Sequence, residues 1–148
     1  MNIKEDYMIR IDGTMEGEKG SEPDHVKLVT RGSLTVKDGC FYISYAESEA
    51  TGYAGCTTTV KISRDASRAA MLRFGNKPSQ LVIEKGRRHI CHYETGYGSL
   101  TLGISADEIS HSMTENGGKA RFSYILDSGD TSPMSRNTVD ITVTPLPR

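Results

Sequence analysis

Leu34-Thr35-Val36-Lys37-Asp38-Gly39-Cys40-Phe41-Tyr42-Ile43-Ser44-Tyr45 is the stretch that decides the fold. An Asp-Gly pair stands between two β-rich runs. Both central residues of a two-residue hairpin turn need positive φ, which Asp tolerates and Gly favours. Before the pair, Val26, Leu28 and Thr30, then Leu34 and Val36, place apolar character on one face at period two. After it, Phe41, Ile43 and Tyr45 alternate with Tyr42 and Ser44. The spacing predicts two antiparallel strands joined by Asp38-Gly39.

The same reading extends in both directions. Tyr7-Ile9-Ile11 opens the chain, and Thr57 to Ile62 is a β-branched run ended by Ser63-Arg64-Asp65. Met71 to Phe74 stops at Gly75-Asn76. Ser79 to Glu84 turns at Lys85-Gly86 into His89 to Glu94, and Ser99 to Ile104 follows Gly96-Tyr97-Gly98. Asn116-Gly117-Gly118 is another tight turn, before Ala120, Phe122, Tyr124 and Leu126; Val139, Ile141 and Val143 close the chain. Nine or ten short strands at this spacing describe an all-β domain, and connectors this short exclude βαβ crossovers. Two stretches compete for helix. Ser105 to Glu108 resembles a capping box, with Ile109 and Met113 four apart, and Arg64 to Met71 carries alanines. Neither is long enough to stand alone, so the first reads as strand or irregular and the second as loop into strand. The Gly-, Ser- and Asp-rich stretches 12–24 and 128–135 read as surface loops.

Residues 1–148 are expected to form a single domain, for which a sandwich or a barrel would both fit; an antiparallel up-and-down β-barrel of about eight to ten strands is favoured, because closure removes the exposed edges of a long meander. A barrel of that size is either filled by its own side chains or holds one small ligand. Eighteen basic against nineteen acidic residues give a net charge of −1, which argues against a nucleic-acid binder or a polybasic membrane clamp. No apolar run has the length of a spanning helix. Met1 to Asp6 lacks the apolar segment of a secretory signal, and Cys40, Cys56 and Cys91 form no CxxC pair, so a reduced, cytoplasmic chain is expected.

Tyr42-Ile43-Ser44-Tyr45 with Glu47 and Thr51-Gly52, the Thr57-Thr58-Thr59 run, Arg73-Phe74-Gly75, Tyr93 to Leu100, Asn116-Gly117-Gly118 and Ser135-Arg136-Asn137 together resemble the YwiB-like uncharacterised β-barrel proteins of bacteria. The resemblance runs from about Tyr7 to Val143. It implies a lipocalin-like, calycin-type barrel in a bacterial cytoplasmic protein and brings no activity with it. That family's pattern has Pro before the Tyr-Gly where this chain has Gly96, which leaves this turn softer.

Several groups are candidates for chemistry. His89, Cys91 and Tyr93 share one face of a strand, with Arg88, Ile90, His92 and Glu94 on the other. His89 and Cys91 are zinc-ligand types, but a closed site needs two more ligands, so a buried thiol beside a hydrogen-bonded His is the simpler account. No metal and no cofactor are expected. Arg73 lies between Leu72 and Phe74 and so faces away from both. If that face is the interior, its guanidinium needs a carboxylate or a ligand anion, with Glu47, Glu49, Glu84 and Glu94 as candidate partners. Tyr53, Tyr93 and Tyr97 cluster near Gly-rich turns, where a barrel mouth would lie. No GxSxG, HExxH, P-loop or post-strand GxGxxG motif is present, so the chain reads as a binder rather than an enzyme. The expectation is a small apolar or anionic ligand inside the barrel, held by Arg73, His89, Tyr93, Tyr97, Glu47 and Tyr53. Two alternatives stand beside it. One is an enzyme using His89, His92 and Glu94 as acid/base groups at the mouth. The other is a protein-interaction or structural module with a filled core, presenting a tyrosine-rich patch at a homodimer face.

Overall fold

The computed structural model describes residues 5–17, 23–95, 98–128 and 133–147, with side chains for all of these except 50, 91–95, 98–100 and 133. Ten strands follow one another: β1 (Tyr7–Glu16), β2 (Asp24–Lys37), β3 (Cys40–Ala46), β4 (Thr57–Ser63), β5 (Arg68–Phe74), β6 (Ser79–Glu84), β7 (Arg88–Thr95), β8 (Gly98–His111), β9 (Gly118–Asp127) and β10 (Pro133–Pro145). The only helical turn among the described residues is a 3-10 turn at Glu49–Thr51. Among the described residues no helix is long and apolar enough to cross a membrane. The deciding hairpin forms as expected. Asp38 and Gly39 take φ of 51° and 75°, and Lys37 pairs with Cys40 across them.

The strands pair antiparallel in the order β6-β5-β4-β3-β2-β1-β10-β9-β8-β7. The two ends of the chain therefore join, with β1 pairing β10 from Tyr7↔Pro145 to Glu16↔Arg136. The barrel stays open along one seam, between β6 and β7, which are neighbours in sequence and meet in the single bridge Glu84↔Arg87. A conflict of faces explains the seam. Continuing that hairpin would set Ile83 opposite Arg88 on the same side of the sheet. Ile83 is fully buried in the core, whereas Arg88 is exposed and its guanidinium grips Asp127 with two hydrogen bonds of 2.7 and 2.8 Å.

Two fourteen-residue strands, β2 and β8, turn the corners. β2 pairs with β1 up to Gly32 and with β3 from Gly32 onward, so the strand passes from one partner to the other at a glycine. A Cβ on Gly32 would run into the Ser44 carbonyl and the Ile9 side chain. On β8, Gly103 leaves the space in which Arg88 crosses to Asp127. Farther along β8, Asp107 is an extra residue between Ala106↔Tyr124 and Glu108↔Ser123. This bulge switches the facing parity, so that Ile104 before it and Ile109 and Met113 after it are all buried. The Ile109–Met113 spacing thus belongs to the end of a bulged strand and the residues just past it rather than to a helix. Asp107 accepts hydrogen bonds from Ser123 and Arg136, which satisfies the buried Ser123 hydroxyl.

The inward rungs fill one end of the barrel. Phe41, Ile43, Val60, Ile62, Ala69 and Ile83 pack against Ile9, Ile104, Phe122 and Ile141 into a solid apolar plug. His111 closes that end, edge-on to Phe41 with its Nε2 2.9 Å from the Arg64 carbonyl. The loop expected over 12–24 is shorter than the composition indicates, because β1 continues to Glu16 and β2 begins at Asp24. Likewise β10 begins at Pro133, inside the stretch expected to be loop to residue 135. Backbone pairing of β1 with both neighbours carries polar residues there into the ladder.

Gly32→Ala forces a backbone shift at the β2 corner and is expected to cost about 1–3 kcal/mol. Urea unfolding of the variant against the wild type measures it; an unchanged midpoint would mean the corner tolerates a side chain.

Candidate ligand-binding site

All the odd-numbered strands run toward one end of the barrel, opposite the plug, and that end is the mouth. Its floor and rim are set by the inward face of β5. Ala69 is buried and Phe74 is 55% exposed, so the face carrying Ala69, Met71 and Arg73 points inward. Register puts Arg73 on one rung with Thr58 of β4 and Ser79 of β6. Arg73 is thus an interior guanidinium one step above the apolar rows.

Its surroundings hold it but do not saturate it. Arg73 Nε donates to the Lys77 carbonyl at 2.6 Å. The planar group lies over the Tyr53 ring, 3.6 Å from the centroid, a cation–π contact that the flat, weakly hydrated guanidinium makes well. Its Nη2 is shielded from solvent and has no hydrogen-bond partner. Burying such a donor without an acceptor costs free energy, so this atom asks for an anion or a carbonyl.

Glu47 enters from the connection between β3 and β4. This segment is folded on itself: Glu47 N–H donates to the Cys56 carbonyl at 2.8 Å, the 3-10 turn follows, and Cys56 N–H donates to the Tyr53 carbonyl at 3.0 Å. The buried Cys56 thiol donates to Asn76 Oδ1 at 3.2 Å, tying this connection to the β5–β6 turn that carries the Lys77 carbonyl. Thr51 Oγ1 donates to Glu47 Oε2 at 2.7 Å. Tyr45, on the rung beside Thr58, lines the same hollow as Glu47. Burial is the largest cause raising the Tyr45 phenol well above its ordinary value of 10. The Glu47 charge and hydrogen bond add to the rise, while the Thr58 bond and the Arg73 charge oppose it. The phenol therefore remains protonated beside the carboxylate.

Together these residues surround a cavity of about 300 Å³ whose lining includes Ile11, Leu28, Met71 and Leu81 below and Glu47, Tyr53, Arg73 and Tyr124 around it. A second hollow, about 230 Å³, is lined chiefly by outward residues of β4, β5 and β6 such as Lys61, Ala70, Leu72 and Val82. The mouth combines an apolar floor with converging polar groups, the combination expected of a small-molecule site.

Of the residues expected to hold a ligand, Glu47, Tyr53 and Arg73 come together here. His89 lies elsewhere, near the Lys85-Gly86 turn, with its Nε2 3.1 Å from Glu84 Oε1. Tyr93 belongs to β7, but its side chain lies outside the described residues, as do those of His92 and Glu94 and all of Tyr97. Sequence reasoning did not single out Tyr45, Thr58 or Ser79. Their common signal, the rung they share with Arg73, exists only once β3, β4, β5 and β6 are paired in register.

A family model described as a domain of unknown function (DUF1934) matches residues 9–141. The chain belongs to that family. Among solved structures, the barrel is similar to the crystal structure of the ywiB protein from Bacillus subtilis, with a TM-score of 0.78 and 20% identity over 95% of this chain and 92% of that one. At that identity the likeness establishes the fold, a nearly closed ten-stranded barrel, and leaves the mouth to be read from its own residues. No curated protein matches the chain.

The raised Tyr45 phenol has a definite sign for stability. Above about pH 10 a tyrosine in the unfolded chain ionises while the folded phenol does not, so its contribution is present below pH 10 and lost as pH rises. Tyr45→Phe is expected to lose about 1 kcal/mol at neutral pH and to show a shallower decline above pH 10 than the wild type. Urea titrations across that range test it; parallel declines would remove Tyr45 as the titrating group.

Proposed function

We propose that this barrel binds a small organic acid at its mouth, with the acid group on Arg73 and an apolar body on the floor formed by Ile11, Leu28, Met71 and Leu81. The observation that carries the reading is the buried Arg73 Nη2 without a partner, on an inward residue of β5 that lines an apolar cavity. A carboxylate matches a guanidinium in shape and charge and would satisfy that donor. Tyr53 holds the guanidinium plane and the Lys77 carbonyl fixes its Nε, so little freedom is lost on binding.

Size narrows the ligand. A cavity of about 300 Å³ is at the low end for ligand sites. The plug of Ile43, Val60 and Ile83 stops the cavity below, which excludes a long acyl chain. Compact acids with a branched or aromatic body fit.

The test is a panel of such acids, with and without an α-amino group, titrated into the protein and followed by calorimetry and by NMR shifts of the mouth residues. At least one member is expected to saturate, with Arg73→Gln weakening it at least about tenfold and Arg73→Lys falling between, since the planar fork is lost while the charge is kept. A panel without saturable binding, or an Arg73→Gln variant that binds as the wild type does, would sink the reading.

A further inference from the structure

We infer that the ligand is a zwitterion, an α-amino acid or close analogue with an apolar side chain, whose carboxylate meets Arg73 while its ammonium meets Glu47; this rests on the small-acid reading of the mouth. Arg73 and Glu47 line the same cavity. Yet no ion pair joins them, and Glu47 has no cationic partner among the described residues. The hydrogen bond to the Glu47 carboxylate comes from a hydroxyl, that of Thr51. Hydroxyl donors orient a carboxylate without cancelling its charge.

The two charges belong to one cavity wall, since Tyr45, two residues before Glu47, lines it together with both. Tyr45 and Arg73 stand two strands apart on one rung, about 10 Å between backbones, and the long arginine side chain shortens that span within the mouth. The rim thus offers one fixed positive and one fixed negative group over an apolar floor. A ligand carrying only an anion would satisfy Arg73 and face the Glu47 carboxylate; one carrying only a cation would meet the reverse conflict. A ligand with both charges answers both groups, and like-charge rejection of the others supplies the selectivity. The α-amino acid head holds its two charges close together and leaves the side chain free to point down onto Ile11, Leu28, Met71 and Leu81. Tyr45 contributes by keeping its proton, so that it does not add a second negative charge beside Glu47.

The experiment compares ligands that share one apolar body. Phenylalanine is set against phenylpropanoate and phenethylamine, and leucine against isocaproate and isoamylamine, by calorimetry on the wild-type chain. The amino acid of at least one set is expected to bind at least about tenfold tighter than both of its single-charge analogues. In Glu47→Gln that advantage over the acid disappears, while the acid binds as well as before or better. The wild-type comparison needs no variant, so a Glu47→Gln chain that fails to fold leaves the test intact. If the acids bind as tightly as the amino acids and still depend on Arg73, the zwitterion inference falls and the small-acid reading stands. If no member of either set binds, both fall.

Discussion

The pairing of β1 with β10 is the constraint on which the rest depends. It joins the two ends of the chain along a full strand, and the inward residues of both strands, Ile9, Ile11, Val139, Ile141 and Val143, are all buried by it. Bringing distant segments together costs loop-closure entropy, and the apolar burial along this ladder offsets it. Once the ends are joined, all ten strands share a single interior, and any break must fall elsewhere. It falls between β6 and β7, where local connection should have made pairing easiest. Burial of Ile83 on one side and the Arg88–Asp127 grip on the other demand opposite faces from residues that a regular hairpin would place together. Long-range packing overrides the turn.

Closure also sorts residues along the barrel axis. Toward the plug the rungs of β3 to β6 are purely aliphatic or aromatic, and an interior of that kind tolerates no uncompensated polar atom. Each rung nearer the mouth carries more polarity: Met71 and Leu81, then Thr58, Arg73 and Ser79, then the Glu47 connection above. The guanidinium therefore sits where the dielectric changes, near enough to the apolar floor for its field to matter and supported by groups outside the plug. A lysine at that position would keep the charge but lose both the face that stacks on Tyr53 and the fork that holds Lys77 while presenting Nη2.

Much of this was legible in the residues. Asp38-Gly39 and the period-two alternation identify the hairpin and the strand class, and the count of short runs leads to a barrel. The facing of Arg73 was not legible, because β5 reads as half-apolar on both sides: Ala69 and Met71 share its face, but Ala70, Leu72 and Phe74 occupy the other. Only the register with Thr58 and Ser79 resolves it. The bulge at Asp107 escaped for a related reason, since a parity switch inside one strand leaves Ile104 and Ile109 out of step and mimics a helical spacing. The true ends of β1 and β2 escaped because Gly13, Thr14 and Asp24 carry no apolar signal, although their backbones pair. His89 was grouped with Arg73 on residue type, and the two lie toward opposite ends of the barrel.

The separation along the axis has a consequence for how such a chain can vary. The plug and the β1–β10 ladder hold the fold, and a substitution there acts on stability through lost burial or a cavity. The mouth is built mostly from a short connection, one strand end and a turn, held together by Thr51, Cys56 and the Lys77 carbonyl. Those contacts are local and few, so rim residues can change while the barrel beneath them stays intact. A shared fold at 20% identity is what such a division allows: aliphatic rungs need only alternation and volume to be kept, and they persist through extensive substitution. Under the proposed reading, recognition rests on a few rim groups whose identity matters atom by atom, chief among them a guanidinium with one donor left over and a carboxylate that no cation meets among the described residues.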